Sequence, residues 1–171
     1  MRRIFLIGYM ASGKTTVGKQ LAKALGWQFV DLDVFIENRY RMNISEIFAK
    51  QGESAFREIE RNALREVSIF EDVVISTGGG SPCFFDNMEV MKNAGQTVYL
   101  NVSVDELARR LNTGKTKRPL VKDKNPEELK IFIAENLKKR EPYYQQASRI
   151  VDAGDLRKKQ DITLIIKNIL G

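Results

Sequence analysis

The residues Gly8-Tyr9-Met10-Ala11-Ser12-Gly13-Lys14-Thr15 follow the spacing G-x-x-x-x-G-K-[ST]. Glycines at the two fixed positions let the backbone turn so that its amide N–H groups point inward and form a nest for an anion. A helix opening at Lys14 adds its positive end to that nest. At ordinary residue frequencies a random chain of this length would match about once in 200. The context lowers those odds further. The motif follows a β-prone apolar run, Arg3 to Ile7. It opens a helical repeat with Val17, Leu21, Ala22 and Leu25 on one side and Gly26 as a stop. A phosphate-binding turn between a strand and a helix implies a sheet that receives ligands at the carboxyl ends of its strands.

The alternation continues along the chain. Phe29 to Asp33 reads as a short strand running into a loop, and Ile44 to Ile69 as a helix interrupted near Gly52. Val73 to Ser76 is a third strand, followed by Gly78-Gly79-Gly80; Phe85 to Asn93 is helical, and Thr97 to Leu100 is a fourth strand. Ser103 and Glu106 form a capping box for the helix holding Leu107 to Leu111. Asn112 to Asn125 is polar and basic with little period, and reads as a mobile loop. Asn125-Pro126-Glu127-Glu128 starts a helix that runs to about Tyr144. Arg149 to Val151 is a fifth strand, and Ile162 to Leu170 a last helix. The predicted class is α/β: a P-loop NTPase-type three-layer sandwich, with a five-stranded parallel sheet and helices on both faces. The 171 residues suit a single domain.

Composition narrows the chemistry. There is one cysteine, Cys83, and no histidine, so an internal disulfide, a histidine triad and a histidine-rich metal site are excluded. Cys83 reads as a small hydrophobe in a reducing compartment. The net charge of +6 is scattered, which suits a cleft for small anions better than a nucleic-acid face. No apolar run approaches the roughly 20 residues of a membrane helix. The run after Arg2 and Arg3 is too short for a signal peptide, so the expectation is a cytoplasmic protein.

Further residues carry candidate chemistry. Lys14 is set to reach the β- and γ-phosphates of a nucleotide, and the Thr15 hydroxyl to ligate Mg²⁺. Asp31 and Asp33, two apart on a strand end, point to the same side. Two acids beside a triphosphate repel it unless a cation lies between, so Asp31 is assigned to Mg²⁺, directly or through water. Asp33 would meet an acceptor hydroxyl and take its proton, or cap a helix. Arg57 and Glu60 are three apart on a helix; they form either a surface ion pair or a held arginine that grips a carboxylate. Arg118-Pro119-Leu120 lies among Lys115, Lys117 and Lys122, either as a segment closing over ATP or as a solvated loop. Gly78-Gly79-Gly80 favours close approach of a ligand over a plain turn. Arg140 alone says little.

Together these residues resemble the shikimate kinases, in order, from Ile4 to about Asp152. The resemblance rests on the phosphate loop, Asp31-Leu32-Asp33, Gly52-Glu53 with Phe56-Arg57-Glu58-Ile59-Glu60, Ser76-Thr77-Gly78-Gly79-Gly80, Arg118-Pro119-Leu120 and Arg140-Glu141-Pro142-Tyr143-Tyr144. It implies transfer of phosphate from ATP to the 3-hydroxyl of shikimate, with Mg²⁺, in aromatic amino-acid (chorismate) biosynthesis, by a monomer. It implies ATP contacts at Ala11, Ser12, Gly13, Lys14, Thr15 and Thr16, Arg110 along the adenine, and Val151-Asp152-Ala153 on the base's other side. Arg57 and Arg140 would grip the shikimate carboxylate. Asp33 and the Gly78, Gly79 and Gly80 turn would hold its hydroxyls. Lys14, Asp33 and Arg118 would be catalytic, with Arg118 in a lid of about 112–124 and an acceptor-binding helical segment at about 33–62. Ala11 stands where many relatives have glycine, and Ser81-Pro82 replaces smaller residues. The segment from Arg110 to Arg118 is slightly long. The rivals are another small-metabolite kinase, such as a gluconate or nucleoside-monophosphate kinase, and a nucleotide-dependent switch without turnover. Lys14→Met is expected to abolish ADP release while circular dichroism and melting show an intact fold, because Lys14 is assigned to phosphate charge. Activity within a few-fold of the parent would break that assignment.

Overall fold

The computed structural model describes residues 2–113, 124–154 and 156–171. Strand β1 (Arg3–Ile7) is buried at every position, which explains its unbroken apolar run after Arg3. It lies between β3 (Val73–Ser76) and β4 (Gln96–Asn101). Strands β2 (Gln28–Asp31) and β5 (Arg149–Asp152) form the edges, giving the order β2-β3-β1-β4-β5 with every pair parallel. Parallel neighbours need crossovers, supplied by α1 (Lys14–Leu25), α2 (Leu32–Tyr40) with α3 (Ile44–Val67), α4 (Asn87–Ala94), and α5 (Val104–Thr113) with α6 (Pro126–Tyr144). Helix α7 (Lys159–Leu170) closes the chain.

The direction of travel reverses at β1. The chain moves outward through α1 to β2, returns to β3, then crosses β1 through α4 to reach β4. With right-handed crossovers, α1 and α4 fall on opposite faces. Consistent with this, α1 packs with α7, and α3 packs with α4. The crevice of such a sheet opens at the carboxyl end of the strand where the order reverses, and the Gly8–Thr15 turn follows that strand. The opposite end is tied by Arg3, which is buried and whose guanidinium donates to the carbonyls of Ile69, Phe70 and Ala94.

Three local expectations change. Strand β2 stops at Asp31, and α2 begins at once, because the Asp31 carboxylate accepts from the N–H groups of Asp33 (3.1 Å) and Val34 (3.3 Å). Asp31, not Asp33, is therefore the helix cap, and Asp33 sits in the first turn of α2 rather than on a strand end. The Ser103 hydroxyl accepts from Glu106 N–H at 3.3 Å, but the Glu106 side chain turns away to arginines, so half of the capping box forms. Before α4 the chain makes a 3-10 turn, Ser81–Cys83. Elsewhere the expected elements stand: α3 is kinked at Gly52 (φ 82), and Asn125 caps α6 with a full capping box to Glu128. Residues 114–123, and with them Arg118 and most of the expected lid, lie outside the described residues.

Gly26 ends α1 at φ 69, donating to the carbonyls of Ala22 and Lys23, with nothing within 4 Å of the place a Cβ would take. Gly26→Ala therefore tests backbone strain alone. A loss of about 1 kcal/mol, read as a drop of roughly 2–4 °C in Tm with unchanged turnover, is expected.

Candidate active site

The turn after β1 is held from inside. Lys14 is buried, and its Nζ donates to the carbonyls of Gly8 (2.8 Å) and Tyr9 (2.9 Å) and to Ser12 Oγ (3.4 Å). The Thr15 hydroxyl donates to Asp31 Oδ2 at 2.9 Å, while Oδ1 of the same carboxylate caps α2. That hydroxyl and carboxylate present the hard oxygen donors Mg²⁺ takes. Ala11 adopts φ 64, a left-handed conformation that costs a residue with a Cβ about 1–2 kcal/mol. Its carbonyl is taken by Arg110, across 99 positions of sequence.

Arg110 is the strut of this end. Its Nη1 donates to Ala11 O (3.2 Å), its Nη2 to the carbonyls of Ala153 (2.7 Å) and Gly154 (3.1 Å), and its Nε to Glu106 (2.8 Å). Glu106 also accepts two hydrogen bonds from Arg109, at 2.8 and 2.7 Å. Those bonds, with that from Arg110, hold the Glu106 carboxyl down at about 2. Asp152 does not line the cavity here; its carboxylate accepts from Gly154 N–H at 2.8 Å and shapes the turn whose carbonyls receive Arg110. Leu156 rests on the loop, with Cδ1 only 2.3 Å from where a Cβ on Gly13 would stand.

A cavity of about 470 Å³ runs from Arg110, Arg109 and Leu156 past Gly13 to Thr16, and on to Asp33 and Gly79, within the range of ligand sites. A second compartment of about 120 Å³ shares Met10, Asp33, Gly78 and Gly79 with it, and adds Phe48, Arg57, Gly80 and Arg140. Asp33 thus reaches the junction of both from the first turn of α2.

The three glycines have separate neighbours. A Cβ on Gly78 would lie 2.8 Å from Glu60 Oε1 and 3.3 Å from Asp33 Oδ1; on Gly79, 3.4 Å from Arg140 Nη1; on Gly80, 2.8 Å from Arg57 Nη2. The turn is bare so that these side chains can lie against it. Arg57 donates from Nη1 to Glu60 (2.9 Å) and from Nη2 to Glu53 (3.3 Å). Its guanidinium centre lies 4.0 Å from the Phe84 ring centroid. The Glu60 side chain is only 1% exposed, so the pair is not a surface ion pair. Burial pushes the Glu60 carboxyl up, against the opposing pull of Arg57. Arg140 lies 5.3 Å over the Tyr9 ring. Cys83 is half-buried, and burial pushes its thiol up to about 11, which suits a packing role better than a nucleophile.

A model of the family described as "Shikimate kinase" matches residues 10–170. A shikimate kinase of Parabacteroides distasonis is 59% identical over 95% of this chain and 94% of its own length. The chain belongs to the shikimate kinase family. The crystal structure of a shikimate kinase from Bacteroides thetaiotaomicron superposes with a TM-score of 0.96 at 49% identity, over 98% of this chain and 96% of that one. A shikimate kinase from Acinetobacter baumannii, solved in complex with shikimate, gives 0.84 at 35% identity, over 99% and 91%.

Against this shikimate kinase fold, the expected residues fall into two groups. Ala11, Gly13, Lys14, Thr15, Thr16 and Arg110 line the larger compartment, with Ser12 buried beneath; Arg57, Gly80 and Arg140 line the smaller. Reading the sequence missed Glu106, Arg109 and Leu156. Glu106 had a local signal, since Arg109 and Arg110 follow three and four residues later on one helix. Glu106→Gln keeps the shape but turns two N–H groups toward arginines. A rise in KM for ATP is expected, with kcat/KM lowered by about 1–2 kcal/mol, or roughly five- to thirtyfold, and no change in KM for the acceptor. Steady-state kinetics with each substrate varied would check this; equal effects on both substrates would remove Glu106 from the nucleotide end.

Proposed function

We propose that the chain transfers the γ-phosphoryl group of ATP to the 3-hydroxyl of shikimate, giving 3-phosphoshikimate and ADP. The observation that carries this reading is the small compartment, where Arg57 and Arg140 flank the glycine turn and Asp33 joins it to the phosphate loop. A guanidinium offers a carboxylate two parallel N–H donors, and Arg57 is pre-set for that by Glu60 and the Phe84 ring. Shikimate carries one carboxylate and ring hydroxyls, so the arginines take the carboxylate while Asp33 meets the hydroxyl at the junction.

Phosphoryl transfer asks a protein mainly for position and charge. The phosphate-loop N–H groups and the α1 terminus cradle the phosphates. Lys14 leaves the loop carbonyls for phosphate oxygens when ATP arrives. Asp33 orients the acceptor hydroxyl and takes its proton. Thr15 and Asp31 would hold Mg²⁺, which would supply positive charge to offset that of the phosphates. Among the described residues no three carboxylates or thiols gather into a metal cage. Arg118, outside the described residues, is assigned the lid role on the transferring group; the lid is assigned to about 112–124 and the acceptor-binding segment to about 33–62. We assign the enzyme as a cytoplasmic monomer; the lone cysteine suits a reducing compartment. Among the described residues no helix is long and apolar enough to cross a membrane.

A coupled assay of ADP release with shikimate, gluconate and nucleoside monophosphates tests the reaction, and turnover with shikimate alone is expected. Arg57→Lys keeps the charge and loses the fork. It should cost about 1.5–3 kcal/mol, or roughly ten- to hundredfold in kcat/KM for shikimate, with little change in KM for ATP. Normal shikimate kinetics in that variant would remove the main reason for a carboxylate-bearing acceptor.

A further inference from the structure

Beside the acceptor compartment lies a phenol that the reaction as described does not use. Tyr144, in the last turn of α6, is fully buried, and its hydroxyl donates to the carbonyl of Gly79. Its ring packs on Tyr99, with centroids 5.0 Å apart. Tyr99 in turn donates to Glu141 at 2.9 Å, which ties the same turn of α6 to β4. Arg140 stands four residues before Tyr144 on this helix, with Nη1 beside Gly79. Burial pushes the Tyr144 phenol well above its ordinary range, so it remains a donor.

The carbonyl that Tyr144 holds belongs to the peptide between Gly79 and Gly80. That peptide is trans, so its N–H points opposite to its carbonyl. The Gly80 N–H therefore heads away from the phenol, and among the described residues it donates to nothing. Gly80 lines the acceptor compartment and Tyr144 does not. Two glycines in sequence leave this peptide free to rotate in the absence of a tie.

We infer that Tyr144 is a positioning residue for the acceptor: its hydroxyl fixes the Gly79–Gly80 peptide so that the Gly80 N–H is presented to an oxygen of shikimate. Tyr144 touches no substrate and acts through that peptide; its hydroxyl also meets the Arg140 side chain, so the Gly80 amide shift, which a change at Arg140 alone would leave in place, is the readout that assigns the effect to the peptide. The inference rests on shikimate being the acceptor.

Tyr144→Phe removes one oxygen and keeps the ring on Tyr99. Kinetics and calorimetric titration should show KM and Kd for shikimate raised roughly three- to tenfold, with kcat and KM for ATP changed by no more than about twofold. Ile169→Val, in the core of α7, is the stability control: it should lower Tm without moving KM for shikimate. In the parent, the Gly80 amide proton should shift when shikimate is added, and in Tyr144→Phe it should shift less. An unchanged KM for shikimate in Tyr144→Phe, equal rises in both KM values, or a parent Gly80 amide indifferent to bound shikimate would each overturn this role. A parent that does not bind shikimate overturns the acceptor reading and this inference together. A parent that binds it, with Tyr144→Phe unaffected, overturns this inference alone.

Discussion

Burying the carboxylate of Glu60 imposes conditions on everything around it. An ion taken out of water without a partner costs several kcal/mol, so a cation must lie against it. Arg57 does so from one turn earlier on α3, and the pair is useful only if Arg57 keeps donors to spare. Its plane is therefore set by apolar walls: Phe84 on one side, and Gly80, whose missing Cβ leaves the space, on another. Glu60 itself needs Gly78 bare for the same reason. The glycine run after β3 is thus the negative of an ion pair on α3, and the smaller compartment is what remains between them.

Charge also explains why two compartments meet at Asp33. Cations dominate each end, with Arg109 and Arg110 around Glu106 in the larger compartment and Arg57 with Arg140 in the smaller. Glu106 holds both Arg109 and Arg110, and Glu60 holds Arg57, so these three guanidinium groups stay fixed before any anion arrives and little reorganisation is left to them. Asp33 stands where the two anions would be brought together, and its charge also acts on Glu60, raising that carboxyl. An acid at this junction is tolerable because cations flank it on both sides.

How far the sequence could be read depended on how far apart the partners lie along the chain. The phosphate loop was legible because its chemistry sits in contiguous residues. The sheet was legible because buried strands leave unbroken apolar runs such as Phe5 to Ile7. Helix α2 was not, since Asp31 reads equally as the last strand residue and as a cap, and Leu32–Tyr40 carries little helical period. Arg57 and Glu60 were visible as neighbours, but only the fold showed that the Glu60 side chain is 1% exposed, the fact that rules out a surface pair. The tie from Arg110 to Ala11 spans 99 positions, and no local pattern announces it.

The phosphate loop is more than a cradle, since successive residues face different parts of the site. The Tyr9 carbonyl holds Lys14, while the Tyr9 ring lies under Arg140. Met10 lines both compartments, and the Ala11 carbonyl receives Arg110. A side chain at position 11 in a left-handed conformation costs energy, and the fixed Arg110 donor is one interaction that helps hold the backbone there. Through these three residues the loop touches the groups assigned to the acceptor carboxylate, to the phosphates and to the base. Moving the loop to admit phosphate would disturb contacts on both sides, so a loop already held in shape before ATP binds avoids that disturbance. The bonds from the buried Lys14 ammonium to Gly8, Tyr9 and Ser12 set the local shape of the turn.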